Sequence, residues 1–120
     1  MKPYQDARVE GEKLAKQYAE LEKADQVDFY NGLEGYYSVL GHNKKQEAIA
    51  VLIEKNDHKI YVYQLDKGIS QDKAATISRE KGASDIDKIT FGRYQDKPIW
   101  EVKSGNQYYL VDFETGALIQ

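Results

Sequence analysis

Two stretches of this 120-residue chain repeat one pattern: Phe29 to Asn43 ends in Tyr37-Ser-Val-Leu-Gly-His-Asn, and Phe91 to Asn106 ends in Trp100-Glu-Val-Lys-Ser-Gly-Asn. Each follows a helix-like segment. A duplicated helix-then-strands unit restricts the architecture more than any single motif, because one such unit is too small to bury its apolar face well alone. Setting the copies side by side pairs Phe29 with Phe91, Tyr37 with Trp100, Val39 with Val102, Asn43 with Asn106, Gln46 with Gln107 and Ile49 with Leu110. Lys44 and Lys45 stand as two extra residues in the first copy. The shared aromatic and β-branched positions fall on one face of a strand, where alternation predicts the core.

The first helix is expected over about 6–24, with Ala7, Gly11, Leu14, Tyr18 and Leu21 on one face. Gly11 costs roughly 1 kcal/mol there relative to Ala, so close packing of a sheet against it is expected. Alternation then replaces helical spacing. Val27 and Phe29, Tyr37 and Val39, Ile49 to Ile53, and Ile60 with Val62 read as four strands of an antiparallel meander, with turns at Asn31-Gly32, Gly41-His42-Asn43 and Lys55 to His58. In the second copy Ser70 is an N-cap, Asp72 complements the helix dipole, Ile69 staples onto Ala74, and Gly82 ends the helix. Strands follow over 87–94, 99–103 and 107–113, with turns at Gln95 to Pro98, Ser104 to Asn106 and Glu114 to Gly116. Residues 117–120 would begin a fourth. Only about Leu65 to Ile69 links the copies, which predicts a joined pair, 1–68 and 69–120, over independent domains.

Composition removes several function classes. Lys plus Arg number 17 against 20 Asp plus Glu, a net charge of −3 with no basic run, so nucleic acid is not an expected partner. Without cysteine there is no disulfide, thiolate catalysis or Cys-type zinc site. No apolar run reaches the roughly 18–20 residues that span a bilayer. His42 and His58 both lie in polar turns, and no third ligand is near in sequence, so no metal or other cofactor is expected. Glu101, Asp112 and Glu114 could form a glycosidase-type acid pair, but alternation sets Glu101 opposite Trp100, on a solvated face. The serines lack a nucleophile elbow, and Gly32, Gly35 and Gly41 have turn spacing without a phosphate-loop context. No catalytic residues are expected. Asp112 instead reads as an Asx-turn acceptor, with Thr115 and Gly116 closing its hairpin.

Tyrosine is the unusual abundance, with ten residues. Alternation places Tyr30, Tyr36 and Tyr109 off the core face and leaves Tyr61 and Tyr63 undecided. Tyrosine suits strands and seams between packed units, but it also concentrates at protein interfaces and can stack on sugars. These five are therefore the candidate partner-contacting residues. Seam tyrosines would be shielded in the isolated chain and patch tyrosines exposed.

The second copy resembles the PepSY pattern through Ile69-Ser-Gln-Asp-Lys-Ala-Ala-Thr-Ile, Pro98-Ile-Trp-Glu-Val-Lys and Tyr108-Tyr-Leu-Val-Asp-Phe-Glu-Thr-Gly-Ala-Leu-Ile, with Asp112, Thr115 and Gly116 matching its Asp-x-x-Thr-Gly hairpin. The first copy departs, carrying Ile53-Glu-Lys-Asn-Asp-His-Lys-Ile there. As a whole the chain is similar to the TseB-like regulators of cell-wall elongation of Gram-positive bacteria. That resemblance implies an α+β fold of two cystatin-like (PepSY-like) units, each a helix on a curved antiparallel meander of three to four strands. It implies a single N-terminal membrane anchor ahead of this stretch, an extracytoplasmic location, and no active site. The implied role is protein binding beside a wall-synthesising penicillin-binding transpeptidase. PepSY-type control of a peptidase is the alternative, and a peptidoglycan-binding module is a more distant one.

Overall fold

The first helix, α1 (Pro3–Tyr18), starts with proline in its first turn, where the missing N–H costs nothing. In this computed structural model residues 3–32 and 34–119 are described, with side chains from Val9 onward, so Ala7's side chain lies outside the description, as does Gln120. The helix buries Gly11 and Ala15 and half-buries Leu14, and Ala19 just past its end is half-buried too. A β-carbon on Gly11 would stand 3.1 Å from the Tyr37 Cβ, so glycine lets the helix backbone approach the sheet.

The helix is shorter than the 6–24 expected and its buried face is rotated. Tyr18 is 61% exposed, and Glu20 at φ 57° ends the helical path. Leu21 is buried, but as the first residue of a strand. Helical spacing at 14, 18 and 21 was also compatible with a break, because the left-handed residue between the last two reorients the chain.

Four strands follow, β1 (Leu21–Asn31), β2 (Gly35–Asn43), β3 (Ala48–Glu54) and β4 (Ile60–Gln64), paired antiparallel in sequence order. Ala15, Leu21, Val39, Ile49, Val51 and Ile53 form the core beneath α1, with Val27, Tyr37 and Ile60 at its border. Burying each large aliphatic side chain contributes roughly 1.5–3 kcal/mol. Gly41, expected in a turn, sits inside β2. There β1 bulges between Leu21 and Lys23 and between Ala24 and Gln26, and the Lys23 carbonyl lies 2.0 Å from where a Gly41 β-carbon would be. The turn comes later. Asn43 Oδ1 accepts the Lys45 and Glu47 amides at 2.9 and 3.0 Å, and Gln46 has φ 67°.

After a 3-10 turn (Leu65–Lys67), α2 (Gln71–Glu80) begins at Ser70, whose hydroxyl accepts the Lys73 amide at 3.0 Å. It ends in a Schellman arrangement, with Ala83 N–H donating to Ser78 C=O at 3.0 Å and Gly82 N–H to Arg79 C=O at 3.2 Å. Three strands, β5 (Lys88–Tyr94), β6 (Lys97–Ser104) and β7 (Gln107–Asp112), form a second antiparallel sheet. Gln95 and Asp96, with φ 49° and 66°, make a tight two-residue link from β5 to β6, so Pro98 lies in the strand. Phe91, Trp100 and Phe113 meet edge to face at 4.9 to 6.5 Å, and the Trp100 indole N–H donates to Ile69 C=O at 3.0 Å. The tail adds a single bridge, Leu118 to Val111, in place of the expected fourth strand.

The chain divides into two compact units, Met1–Gln64 and Leu65–Gln120. Their registers match through the first hairpin: Phe29 faces Tyr37 and Val27 faces Val39 as Phe91 faces Trp100 and Ile89 faces Val102. Beyond it the sequence alignment slips. Val39 pairs with Val51 while Val102 pairs with Tyr109, so the first copy's next hairpin is five residues longer instead of two, and Leu52 is the counterpart of Leu110.

Candidate functional site

The five tyrosines do not form one exposed patch. Tyr30 and Tyr36 are 2% and 3% exposed, so neither presents its ring to a partner. Alternation identifies which side chains share a face, but it assumes that only one face is covered. Here both faces of β2 and β3 are buried: Ile49, Val51 and Ile53 beneath α1, and Ala50, Leu52 and Glu54 on the other. The continuous run Ile49 to Glu54 carries that signature of a doubly covered strand.

The Tyr30 and Tyr36 rings meet at a tilt of 34° with centroids 6.4 Å apart, and Tyr61 meets Tyr36 edge-on at 6.3 Å. The Tyr36 hydroxyl donates to Glu34 Oε2 at 3.3 Å. Tyr61 and Tyr63 are half-buried on β4, on the same face as Leu52 and Ala50. Tyr109, on β7, is also half-buried, while its neighbour Tyr108 is 54% exposed.

Asp112 is 5% exposed and is held by the hairpin it opens. Its Oδ1 accepts the Glu114 and Thr115 amides at 2.8 and 3.1 Å, and the Thr115 hydroxyl accepts the Ala117 amide at 3.1 Å. Gly116, at φ 81°, returns its N–H to the Asp112 carbonyl at 2.8 Å. Asp112 and Glu101 share a sheet face with Ile99 and Leu110, which are buried. That face was expected to be solvated. Burial accordingly raises the Glu101 pKa, and Lys88 opposes the shift. Asp112 Oδ1 is engaged by the two amides of its own turn.

The histidines are separate. His42 Nδ1 lies 2.9 Å from Asp25, and His58 occupies the β3–β4 turn at φ 56°. Among the described residues no group of three or more His, Cys, Asp or Glu could hold a metal ion. A buried carboxylate that sequence reading passed over is Glu54, 7% exposed at the end of β3. Burial raises its pKa first, Glu34 and a hydrogen bond with Asp57 add to that, and Lys59 opposes. Its signal was a glutamate closing an otherwise unbroken apolar strand.

These observations define an α+β protein of two helix-on-meander units whose turn and cap polar groups are engaged in building the fold. Residues 10–54 match the family described as the cell wall elongation regulator TseB-like domain. The chain is 37% identical over 114 residues to a protein of Bacillus subtilis (strain 168) named "Probable cell wall elongation regulator TseB", an alignment covering 88% of this chain and 70% of that protein. The solved structure of the YpmB protein from Bacillus subtilis superimposes with a TM-score of 0.80 at 33% identity, covering 93% of each chain. The chain therefore belongs to the TseB-like family of cell wall elongation regulators. Among the described residues no helix is long and apolar enough to cross a membrane.

Proposed function

We propose that this chain is a noncatalytic protein-binding module that regulates wall elongation from the extracytoplasmic face of the membrane, held there by an N-terminal anchor preceding this stretch. Its partner is a penicillin-binding transpeptidase. The observation that carries this reading is the 37% identity to a named elongation regulator over 88% of the chain. The engagement of Asp112 by its own turn supports a binding role over a hydrolytic one. In this reading the two copies, 1–68 and 69–120, are a degenerate and a regular PepSY-like unit of cystatin-like type. Tyr61, Tyr63 and Tyr109 supply contact area, and the buried Tyr30 and Tyr36 support Tyr61 from beneath.

The hairpin of Asp112, Thr115 and Gly116, whose residues resemble the PepSY sequence pattern and whose side chains close the turn, supports a second reading as a peptidase regulator. Co-purification of the anchored protein with named membrane transpeptidases tests the first, and inhibition assays on wall and membrane peptidases test the second. Capture of a transpeptidase that is lost on changing Tyr61 and Tyr63 together supports transpeptidase binding. No capture of any transpeptidase defeats it. Binding of purified peptidoglycan instead would favour a glycan-directed module, and exclusion of the domain from protease added outside intact cells would overturn the location.

A further inference from the structure

Four strands form the sheet edges, and three are defended. β1 carries two bulges, β5 has Lys88 and Arg93 near its ends, and β7 is followed back by the tail through the Leu118 bridge and the Ile119 N–H to Leu110 C=O bond of 2.7 Å. The outer edge of β4 has none of these devices. Its sequence Ile60-Tyr-Val-Tyr-Gln64 lacks charge, proline and glycine, and its register with β3 is unbroken.

The hydrogen-bond phase fixes which groups face outward. Lys55 N–H donates to Gly35 C=O across β2, and Glu54 N–H donates to Lys59 C=O across the β4 side. Alternation from these two bonds turns Leu52 and Ala50 toward Tyr61 and Tyr63, and leaves the backbone groups of Ile60, Val62 and Gln64 on the open side. Among the described residues no backbone bond is made from that side, and Val62 is 48% exposed.

This edge is self-complementary. We propose that β4 pairs antiparallel with β4 of a second copy of this chain about a two-fold axis at Val62, joining two four-stranded sheets. Val62 then faces Val62, Tyr61 faces Tyr63, and Ile60 faces Gln64, so no like charges oppose within the ladder. A two-fold centred on a residue with outward backbone groups places Val62 opposite Val62, and Ile60 opposite Gln64, as hydrogen-bonded pairs, about six bonds in all. A foreign strand could use the same backbone groups, but the near-palindromic side-chain order favours a second copy. Five paired residues fall well short of the roughly 1,200 Å² of a stable specific interface. The dimer is therefore weak and forms at high local concentration.

The chain has no cysteine, so Val62→Cys carries a single thiol, and residues facing each other in such a pair are about 5.5 Å apart at Cα, within disulfide range. Under mild oxidation Val62→Cys should form disulfide dimers at least tenfold faster than the exposed controls Val9→Cys and Tyr108→Cys. Equal rates would overturn the proposal. Val62→Lys, with its fold verified by circular dichroism, should abolish the concentration-dependent association that sedimentation detects in the full chain near millimolar concentration. A strictly monomeric parent chain would overturn the proposal as well. If Val62→Lys instead releases a captured transpeptidase while the parent chain stays monomeric, the edge serves a foreign strand and self-pairing is refuted.

Discussion

Replacing Asp112 separates a turn-building role from recognition. Its Oδ1 accepts two amides, from Glu114 at 2.8 Å and Thr115 at 3.1 Å, on a side chain that is 5% exposed. Each such bond contributes about 0.5–1.5 kcal/mol net. In Asp112→Ala both amides lose their acceptor, but Glu114 and Thr115 are exposed, so water can reach them and the full desolvation cost is not incurred. The expected loss is about 1–3 kcal/mol. With a urea m-value of about 1–3 kcal/mol/M, that moves the unfolding midpoint down by roughly 1 M at unchanged slope. Asp112→Asn keeps an oxygen acceptor and loses only the charge assistance, so its loss should be less than half as large. Urea unfolding followed by circular dichroism on the three proteins checks the ranking. If Asp112→Ala unfolds within about 0.3 kcal/mol of the parent while losing partner capture, the carboxylate is a recognition group and the turn argument is refuted.

Three further outcomes follow from the same geometry. Gly41→Ala sets a β-carbon 2.0 Å from the Lys23 carbonyl, a backbone atom fixed by the bulge, and should lower Tm by roughly 5–10 °C in calorimetry. Trp100→Phe removes the donor to Ile69 C=O and leaves a gap beside Phe91 and Phe113, a loss of roughly 2 kcal/mol read from chemical denaturation. Glu101 holds its proton more tightly folded than unfolded, so it destabilises the fold as pH rises from its ordinary value of 4.5 through the raised one. Glu101→Gln should therefore be the more stable protein at neutral pH, with the difference closing below about pH 4. A constant difference from pH 3 to 8 in Tm would count against burial as the cause.

Local chemistry made part of this protein legible from residues alone. The Ser70 cap, the meander order, the alternating strands and the paired aromatics all depend on neighbours within a few residues or on a two-residue period, and such short-range causes are written along the chain. The TseB-like family is also a sequence property. The end of α1 was less visible, because Leu14 and Leu21 keep helical spacing across a left-handed turn at Glu20. The longer second hairpin of the first copy was missed because Gln46 and Gln107 invited an alignment that the β3 register does not follow.

Sequence by itself determined that a helix-then-meander pattern occurs twice, with an aromatic pair across the first hairpin of each copy, but Phe91 and Trp100 are buried whereas Phe29 and Tyr37 are only half-buried. Tertiary structure alone decided which side chains remain available. A strand's period tells which residues share a face, but not whether one face or both are covered. Tyr30 and Tyr36 are enclosed although alternation set them outward. The open side of β4, with Val62 exposed, follows from sheet order and hydrogen-bond phase, which no local pattern encodes.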